Sequence, residues 1–251
     1  KVHNAVAIAP TYSMYKVAAE INDVEVREVQ LEEDFSLDAD KLLAATDANT
    51  RLLWLCSPNN PTANSFPTAT IERIIREFAG IVVLDEAYID FAAEPGFLSR
   101  LGEFPNLIVL QTLSKAWGMA GLRLGLAFAD PLIVATLSNV KYPYNVNGPT
   151  QQTVLERLAG SPAAQVAEIL SERRRVAAAL QPMKVVRKLY PSDANFVLVK
   201  VDEPRKVYDR LIAAGIIVRD RSRMQGCEGC LRITIGTPEE NTRLLEVMAQ
   251  L

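Results

Sequence analysis

Short apolar runs that alternate with amphipathic stretches constrain the fold of this chain more than any other feature. Runs of this kind occupy residues 52–56, 81–84 and 107–110, and each is followed at once by polar residues. Such alternation predicts α/β architecture with a mainly parallel, doubly wound sheet. The predicted strands lie near 5–9, 25–29, 52–56, 81–85, 107–111 and 123–128, and the predicted helices near 13–22, 38–46, 68–79, 115–120 and 131–140.

The pattern changes in the second half of the chain. Residues 148–181 predict a long helical stretch that breaks at Gly160-Ser161-Pro162, because proline cannot continue a helix interior. The segments beyond it predict a small α+β domain, with strands near 184–189, 195–200, 216–219 and 231–235 and helices near 203–214 and from 238. We therefore expect a large domain at 1–160 and a small C-terminal domain at 161–251.

Composition is that of an ordinary globular protein. Of 251 residues, 49% are hydrophobic and 23% are charged. No apolar run approaches the roughly 20 residues that span a bilayer. The net charge of −3 gives no electrostatic reason to expect nucleic acid as a partner. Three cysteines make no disulfide framework in so long a chain, so a reducing cytoplasm is expected.

Two clusters of polar residues predict no ligand site. Cys227 and Cys230 have the spacing of a redox or metal pair, but no second ligand pair accompanies them and His3 is the sole histidine. We therefore expect no metal. The run Glu172-Arg173-Arg174-Arg175 predicts the solvated face of a helix.

Lys115 is the first candidate for chemistry. It follows the apolar run 107–110, with hydroxyls at Thr112 and Ser114 and a guanidinium at Arg123. A lysine is a useful nucleophile only when desolvation or a neighbouring cation lets its amine lose a proton. The hydroxyls and the guanidinium could bind a phosphate beside it. Amine and phosphate site together predict pyridoxal 5'-phosphate held as a Schiff base. The alternative is a surface lysine in a loop.

Two further segments support that prediction. Asp85 ends the strand predicted at 81–85, where open α/β sheets bind ligands, and the cofactor needs a carboxylate to keep its pyridine nitrogen protonated. The alternative is a helix cap. Asn60 precedes Pro61 in Ser-Pro-Asn-Asn-Pro-Thr, which favours an extended backbone and lets its amide point at a ligand. The alternative is a turn without function.

These motifs occur in an order that resembles the fold-type I, class I/II aminotransferases. The order is Ser-Pro-Asn-Asn-Pro-Thr at 57–62, Asp-Glu-Ala-Tyr at 85–88, Thr-Leu-Ser-Lys at 112–115 and Gly-Leu-Arg at 121–123. Four more segments resemble the histidinol-phosphate aminotransferases in particular: Pro-Thr-Tyr-Ser-Met-Tyr at 10–15, Pro-Tyr-Asn at 143–145, Val-Arg-Asp at 218–220 and Cys-Leu-Arg-Ile-Thr-Ile-Gly-Thr at 230–237. The resemblance covers nearly the whole chain.

The resemblance implies a role for each matching residue around pyridoxal phosphate. Lys115 would hold the cofactor and move a proton between substrate and cofactor, while Asp85 would keep the ring nitrogen protonated. Asn60 and Tyr88 would bond the phenolic oxygen of the ring. Tyr12 would stack on the ring, although core packing is the alternative. The implied phosphate ligands are Thr112, Ser114 and Arg123.

The resemblance also implies a substrate and a partner. Arg219 and Arg232 would bind the phosphate of histidinol phosphate and the carboxylate of glutamate. The alternative for Arg219 is a surface ion pair with Asp220 or Glu228. The implied reaction is transamination between histidinol phosphate and 2-oxoglutarate in histidine biosynthesis, by a cytoplasmic homodimer with no nucleic-acid or membrane partner.

Other functions remain open at this stage. An aromatic aminotransferase or a phosphothreonine-type decarboxylase would share the cofactor residues, and a non-catalytic fragment would bind no cofactor. The resemblance begins inside the family's large domain, so we expect its N-terminal arm and its glycine/serine phosphate loop to be missing. Ala63 stands where the family usually has glycine, which makes the turn after Asn-Pro-Thr a second departure.

Overall fold

The larger of two sheets is mainly parallel, as the sequence predicts. The computed structural model describes residues 2–251. The strands of this sheet are β1 (Asn4–Ala9), β2 (Glu25–Gln30), β3 (Thr50–Cys56), β4 (Ile81–Asp85), β5 (Leu107–Thr112) and β6 (Gly125–Ala129). Their order in space is β2-β1-β3-β4-β5-β6. All neighbours pair in parallel except β5 and β6, which are antiparallel.

Helices cover the large sheet and close its core. They are α1 (Met14–Ile21), α2 (Ala39–Ala44), α3 (Thr68–Glu77) and α4 (Pro131–Val140). Every residue of β1 is buried, as expected of a central strand with both faces covered. The α3 side chain Ile74 packs in the same core as Leu53 and Leu84. Asp38 caps α2 by accepting from two backbone N–H groups.

The second half of the chain forms the predicted small α+β unit. Its sheet is antiparallel in the order β7-β8-β10-β9, with β7 (Val186–Leu189), β8 (Phe196–Val201), β9 (Arg219–Asp220) and β10 (Cys230–Thr234). The helices are α5 (Gly148–Leu158), α6 (Ala163–Leu180), α7 (Pro204–Ala213) and α8 (Pro238–Met248). The predicted break near Pro162 separates α5 from α6. A domain boundary at residue 160 stays a prediction.

Two predicted elements are wrong. Residues 115–120 form no α-helix: the backbone N–H of Met119 bonds back to the carbonyl of Leu113 at 2.9 Å, and Gly118 adopts a left-handed φ of +63°. Only a 3₁₀ turn, Ala120–Leu122, follows. The strand predicted near 216–219 is also misplaced, because pairing with β10 begins only at Arg219.

The turn that carries Asn60 forms with alanine in place of glycine. Ala63 adopts a left-handed φ of +71° and is fully buried. Its N–H donates to the carbonyl of Asn59 at 2.8 Å, and its own carbonyl accepts from Asp193 N–H at 2.8 Å. These two bonds hold the left-handed conformation, which glycine would adopt at lower cost.

The run at 172–175 is only partly a solvated face, so that prediction is wrong for two of its members. Arg173 Nη1 donates to the carbonyls of Ala194 at 2.7 Å and Phe91 at 3.3 Å. Glu172 is buried, with its carboxylate paired to Arg175 at 2.7 Å. Arg173 thereby joins the loop after β4 to the segment that enters β8.

Several classes of feature are absent from the part of the chain that the structure describes. No helix in residues 2–251 is long and apolar enough to cross a membrane. The same residues contain no group of three His, Cys, Asp or Glu side chains placed to hold a metal ion. The cysteines at 56, 227 and 230 are free and buried.

Candidate active site

A cavity of about 880 Å³ opens at the carboxyl ends of β3, β4 and β5. Its volume suits a cofactor with a small substrate. Nine of the ten predicted site residues line it: Tyr12, Asn60, Asp85, Tyr88, Thr112, Ser114, Lys115, Arg123 and Arg232. Arg219 does not line the cavity, whereas Arg221 and Met224 do.

Lys115 lies half-buried in this cavity. Its Nζ is 5.4 Å from the centroid of the Tyr88 ring. Burial lowers the pKa of the Lys115 amine and the charge of Arg232 lowers it further, against an opposing effect of Asp85. The amine therefore loses its proton more readily than an exposed lysine does, which is the condition for a nucleophile.

Both carboxylate oxygens of Asp85 are held at the end of β4. Oδ2 accepts from Tyr15 Oη at 2.6 Å, and Oδ1 accepts from the backbone N–H of Ala87 at 3.0 Å. Burial raises the pKa of Asp85, while the bond from Tyr15 and the charge of Lys115 oppose that rise. No α-helix follows Asp85, so the alternative of a helix cap is wrong; a 3₁₀ turn, Ile89–Phe91, comes next.

Tyr15 does not line the cavity but bonds to Asp85, and the sequence reasoning missed it. Its ring is stacked on Trp54 with the centroids 4.7 Å apart, and it meets the Tyr12 ring edge-on at 5.6 Å. The available signal was the spacing within Tyr12-Ser13-Met14-Tyr15. Residues three apart at a helix start lie on one face, so a tyrosine at 15 would accompany one at 12.

Asn60 and Tyr88 present polar groups to the cavity. Asn60 Oδ1 accepts from Arg232 Nη1 at 2.7 Å, which is the one side-chain hydrogen bond of Asn60 within residues 2–251 and leaves Nδ2 free to donate. The Tyr88 ring packs edge-on against Phe196, with the centroids 5.1 Å apart. Burial raises the pKa of Tyr88 to about 12, so its hydroxyl stays protonated at neutral pH. Two hydrogen-bond donors are thus available.

The predicted phosphate ligands also border the cavity. Thr112 ends β5, and its Oγ1 accepts from the backbone N–H of Ser114 at 3.1 Å. Arg123 is exposed and its Nη1 donates to the carbonyl of Ala120 at 3.1 Å. The turn that replaces the predicted helix at 115–120 therefore brings two hydroxyls and a guanidinium to the same cavity as Lys115.

Three arginines lie on one face of the small sheet. Arg219 and Arg232 are directly opposed across β9 and β10, and Arg221 continues the strand by bonding the Cys230 carbonyl at 2.9 Å. In the described part of the chain, the Nε atoms of Arg221 and Arg232 are buried without a hydrogen-bond partner, and both side chains line the cavity. Burial lowers the pKa of Arg232, and the charge of Arg221 adds to that effect.

Arg219 differs from the other two arginines. Its side chain is exposed, and within residues 2–251 it makes no ion pair with Asp220 or Glu228, so the surface-pair alternative has no contact to support it. Its binding role stays a prediction. Arg221 is a second residue that sequence reasoning missed. Its signal was the two-residue spacing from Arg219, which puts both side chains on one face of a strand.

Comparison with known proteins identifies the scaffold. The sequence profile of the family "Aminotransferase class I and II" matches residues 2–248. The chain belongs to the class I and II aminotransferases. It is 53% identical over 250 residues to a histidinol-phosphate aminotransferase of Parabacteroides distasonis, covering 99% of this chain and 72% of the relative. A protein of the same name from Bacteroides thetaiotaomicron is 49% identical over 247 residues, covering 98% and 71%.

Solved structures agree on the fold of this aminotransferase. The histidinol-phosphate aminotransferase of Clostridium acetobutylicum superposes with a TM-score of 0.93 at 22% identity, covering 99% of this chain and 78% of that one. The Sinorhizobium meliloti enzyme, solved in complex with pyridoxal-5'-phosphate, gives 0.86 at 23% identity, with 100% and 70% covered. These likenesses confirm the predicted fold class.

The cofactor of this aminotransferase family is pyridoxal 5'-phosphate. The residues present fit it. A half-buried amine with a lowered pKa, a buried carboxylate at a strand end and unpaired donors on Asn60 all face one cavity. When bound, the cofactor supplies an electron sink for the carbanion formed at the substrate. The predicted cofactor is therefore confirmed at the level of the family.

Proposed function

We propose that this aminotransferase exchanges an amino group between histidinol phosphate and 2-oxoglutarate, giving imidazole acetol phosphate and glutamate in histidine biosynthesis. The relatives at 53% and 49% identity carry that name. Within the site, one observation carries the choice of an anionic substrate. Within residues 2–251 the Nε–H groups of Arg221 and Arg232 are buried and have no acceptor, and both side chains line the same cavity as Lys115.

Guanidinium groups that keep unpaired N–H donors at a cavity wall favour an anion. A buried charged donor without an acceptor carries the full cost of its desolvation, which a bound phosphate or carboxylate offsets through charge-assisted hydrogen bonds. Histidinol phosphate offers a phosphate in one half-reaction, and glutamate offers a carboxylate in the other. One pair of arginines can therefore serve both substrates, and Arg219 extends the positive charge to the rim of the same sheet face.

The residues around Lys115 would hold and tune the cofactor. Asp85 would keep the ring nitrogen protonated, since a carboxylate stabilises the neighbouring cation in a poorly solvated site. The free Nδ2 of Asn60 and the protonated hydroxyl of Tyr88 would donate to the phenolic oxygen of the ring. Tyr12, 44% exposed at the cavity, would cover one face of the ring.

The remaining polar groups would bind the cofactor phosphate and move the proton. Thr112, Ser114 and Arg123 offer two hydroxyls and a charged fork, the groups that suit a phosphate. The Lys115 amine, freed by the substrate amine, would take the proton from the substrate carbon. Its lowered pKa supports this role because a neutral amine is the form that accepts a proton.

The test is substrate discrimination by arginine variants. We expect Arg221→Met and Arg232→Met to raise KM for histidinol phosphate about tenfold or more, since a hydrogen bond to a charged group contributes about 1.5–3 kcal/mol. For an unphosphorylated aromatic amino acid, Arg221→Met should change KM far less. The matched control is Arg223→Met, an exposed arginine of the same loop that does not line the cavity.

Three results would contradict the proposal. Equal KM changes for phosphorylated and unphosphorylated substrates would mean that the substrate phosphate does not bind in this pocket. Release of carbon dioxide from phosphothreonine without amino transfer would indicate a decarboxylase. A purified protein that binds no pyridoxal phosphate, and so shows no change of its visible absorbance on borohydride reduction, would indicate a non-catalytic fragment.

We further propose that the protein is a cytoplasmic homodimer. Helix α4 has no buried residue, and its Leu132 and Val140 are 75% and 79% exposed. The segment after it exposes Tyr142 and Tyr144 at 85% and 94%. Large exposed apolar patches mark association surfaces. The free cysteines suit a reducing compartment. Light scattering should give twice the chain mass, and Leu132→Lys should lower it; a monomer at all concentrations would contradict the dimer.

A further inference from the structure

We propose that Tyr15 is a positioning residue that holds the carboxylate of Asp85 in place for the ring nitrogen of the cofactor. The inference rests on the proposed role of Asp85 and is independent of the identity of the substrate. Tyr15 does not line the cavity, so its hydroxyl would act through Asp85 and not by touching the cofactor.

The first observation is the hydrogen bond itself. Tyr15 Oη donates to Asp85 Oδ2 at 2.6 Å, which is short for a neutral donor and typical of a charged acceptor. The other oxygen, Oδ1, accepts from the backbone N–H of Ala87 at 3.0 Å. With one bond to each oxygen, the carboxylate cannot rotate about its last torsion without losing both bonds. Asp85 lines the cavity, and a carboxylate oxygen that accepts one hydrogen bond can accept another.

The second observation is that Tyr15 is itself immobilised. Its side chain is only 5% exposed, and its ring is stacked on Trp54 of β3 at 4.7 Å with 16° between the planes. The edge of the ring meets Tyr12 at 5.6 Å. A donor on α1 that is packed against β3 therefore fixes a carboxylate on β4, so one helix and two strands set the position of one oxygen.

The third observation concerns charge. Burial raises the pKa of Asp85, which favours the neutral acid, and the bond from Tyr15 opposes that rise by stabilising the carboxylate. Burial and the neighbouring Asp85 raise the pKa of Tyr15 far above its usual range, so its hydroxyl keeps the proton and stays a donor. Only the ionised form of Asp85 can stabilise a protonated ring nitrogen. Tyr15 thus contributes to the charge state as well as to the position of Asp85.

The test is a double-mutant cycle read out by cofactor affinity. Pyridoxal phosphate is removed from the full chain and titrated back into wild type, Tyr15→Phe, Asp85→Asn and the double variant. Phenylalanine keeps the stack on Trp54 and removes only the hydroxyl. We expect Tyr15→Phe to raise the Kd for pyridoxal phosphate about tenfold, or about 1.4 kcal/mol, and to have little further effect in the Asp85→Asn background.

A second readout separates positioning from a structural role. The ¹⁵N shift of ring-labelled pyridoxal phosphate reports protonation of the ring nitrogen, and Tyr15→Phe should move it toward the unprotonated value. The matched control is Tyr190→Phe, which removes the hydroxyl of a buried tyrosine that packs against Phe35 in another cluster. It should change neither Kd nor the ¹⁵N shift.

The outcomes are distinguishable. If Asp85→Asn leaves the Kd unchanged, the proposed role of Asp85 fails and the inference falls with it. If Asp85→Asn weakens binding but Tyr15→Phe does not, only the inference fails. Equal losses from Tyr15→Phe in both backgrounds would mean that Tyr15 acts by packing, which also overturns the proposal.

Discussion

Replacing Arg173 by methionine should destabilise the whole molecule, because its guanidinium bonds to carbonyl groups in both halves of the fold. Its Nη1 donates to the carbonyl of Ala194, at the entry to β8, and to that of Phe91, in the turn after β4. Methionine keeps a long apolar stem that packs along α6 while removing the donors. The two carbonyls would then lose a charged partner in a partly buried position.

The magnitude follows from these two contacts. The bond to Ala194, at 2.7 Å, is short and charge-assisted, and such a bond contributes about 1.5–3 kcal/mol. The bond to Phe91, at 3.3 Å, is longer and adds less. Burial lowers the pKa of Arg173, so part of the gain is offset by the desolvation of its charge. We expect a net loss of about 2–3 kcal/mol, or a Tm lower by about 4–12 °C for a chain of this size.

The assay is thermal and urea unfolding of Arg173→Met beside Arg174→Met. Arg174 is the adjacent, exposed arginine of the same helix, so its replacement controls for charge and helix propensity and should shift Tm by less than about 2 °C. Phe196, two residues after Ala194, packs on Tyr88 and on Arg232, so cofactor affinity should fall as well. Equal Tm values for the two variants would refute the prediction that the two hydrogen bonds of Arg173 stabilise the fold.

Four further predictions concern the site and its support. Lys115→Ala should abolish transamination and leave the fold intact, and borohydride reduction of wild type should label Lys115; a label on another lysine in peptide mapping would contradict this. Asp85→Ala should lower kcat by two or more orders of magnitude, at about 1.4 kcal/mol per tenfold, and near-normal turnover would leave that carboxylate without a catalytic role. Gly96→Ala would place a Cβ 2.5 Å from the buried Glu86 carboxylate, so unfolding should become easier by about 1–3 kcal/mol, and an unchanged Tm would contradict the clash. Removing the cation of Arg232 should raise the pKa of the lysine amine, so the pH above which pyridoxal phosphate recombines with the protein should move upward.

The fold was largely predictable because its strands are buried on both faces. A parallel strand between two helical layers must be apolar throughout, so β3, β4 and β5 appear in the sequence as continuous apolar runs. The failure at 115–120 has a different cause. Ser-Lys-Ala-Trp-Gly-Met has no strong local preference. The turn closes through the bond from Met119 N–H to Leu113 and the left-handed φ of Gly118, and it buries Leu113 and Met119 against Val154 of α5.

The candidate site also contains residues that the local sequence predicts and residues that it does not. Residues such as Asp85 and Lys115 could be predicted because each follows a recognisable strand, and parallel strands bring their carboxyl ends to one edge. The partners of these residues come from distant segments, and no nearby sequence pattern indicates them. Tyr15 meets Asp85 across 70 residues of sequence, and Arg232 meets Asn60 across 172. An arginine in a strand has the same sequence signature whether its guanidinium faces solvent, as in Arg219, or a cavity, so only the packed fold could separate the two.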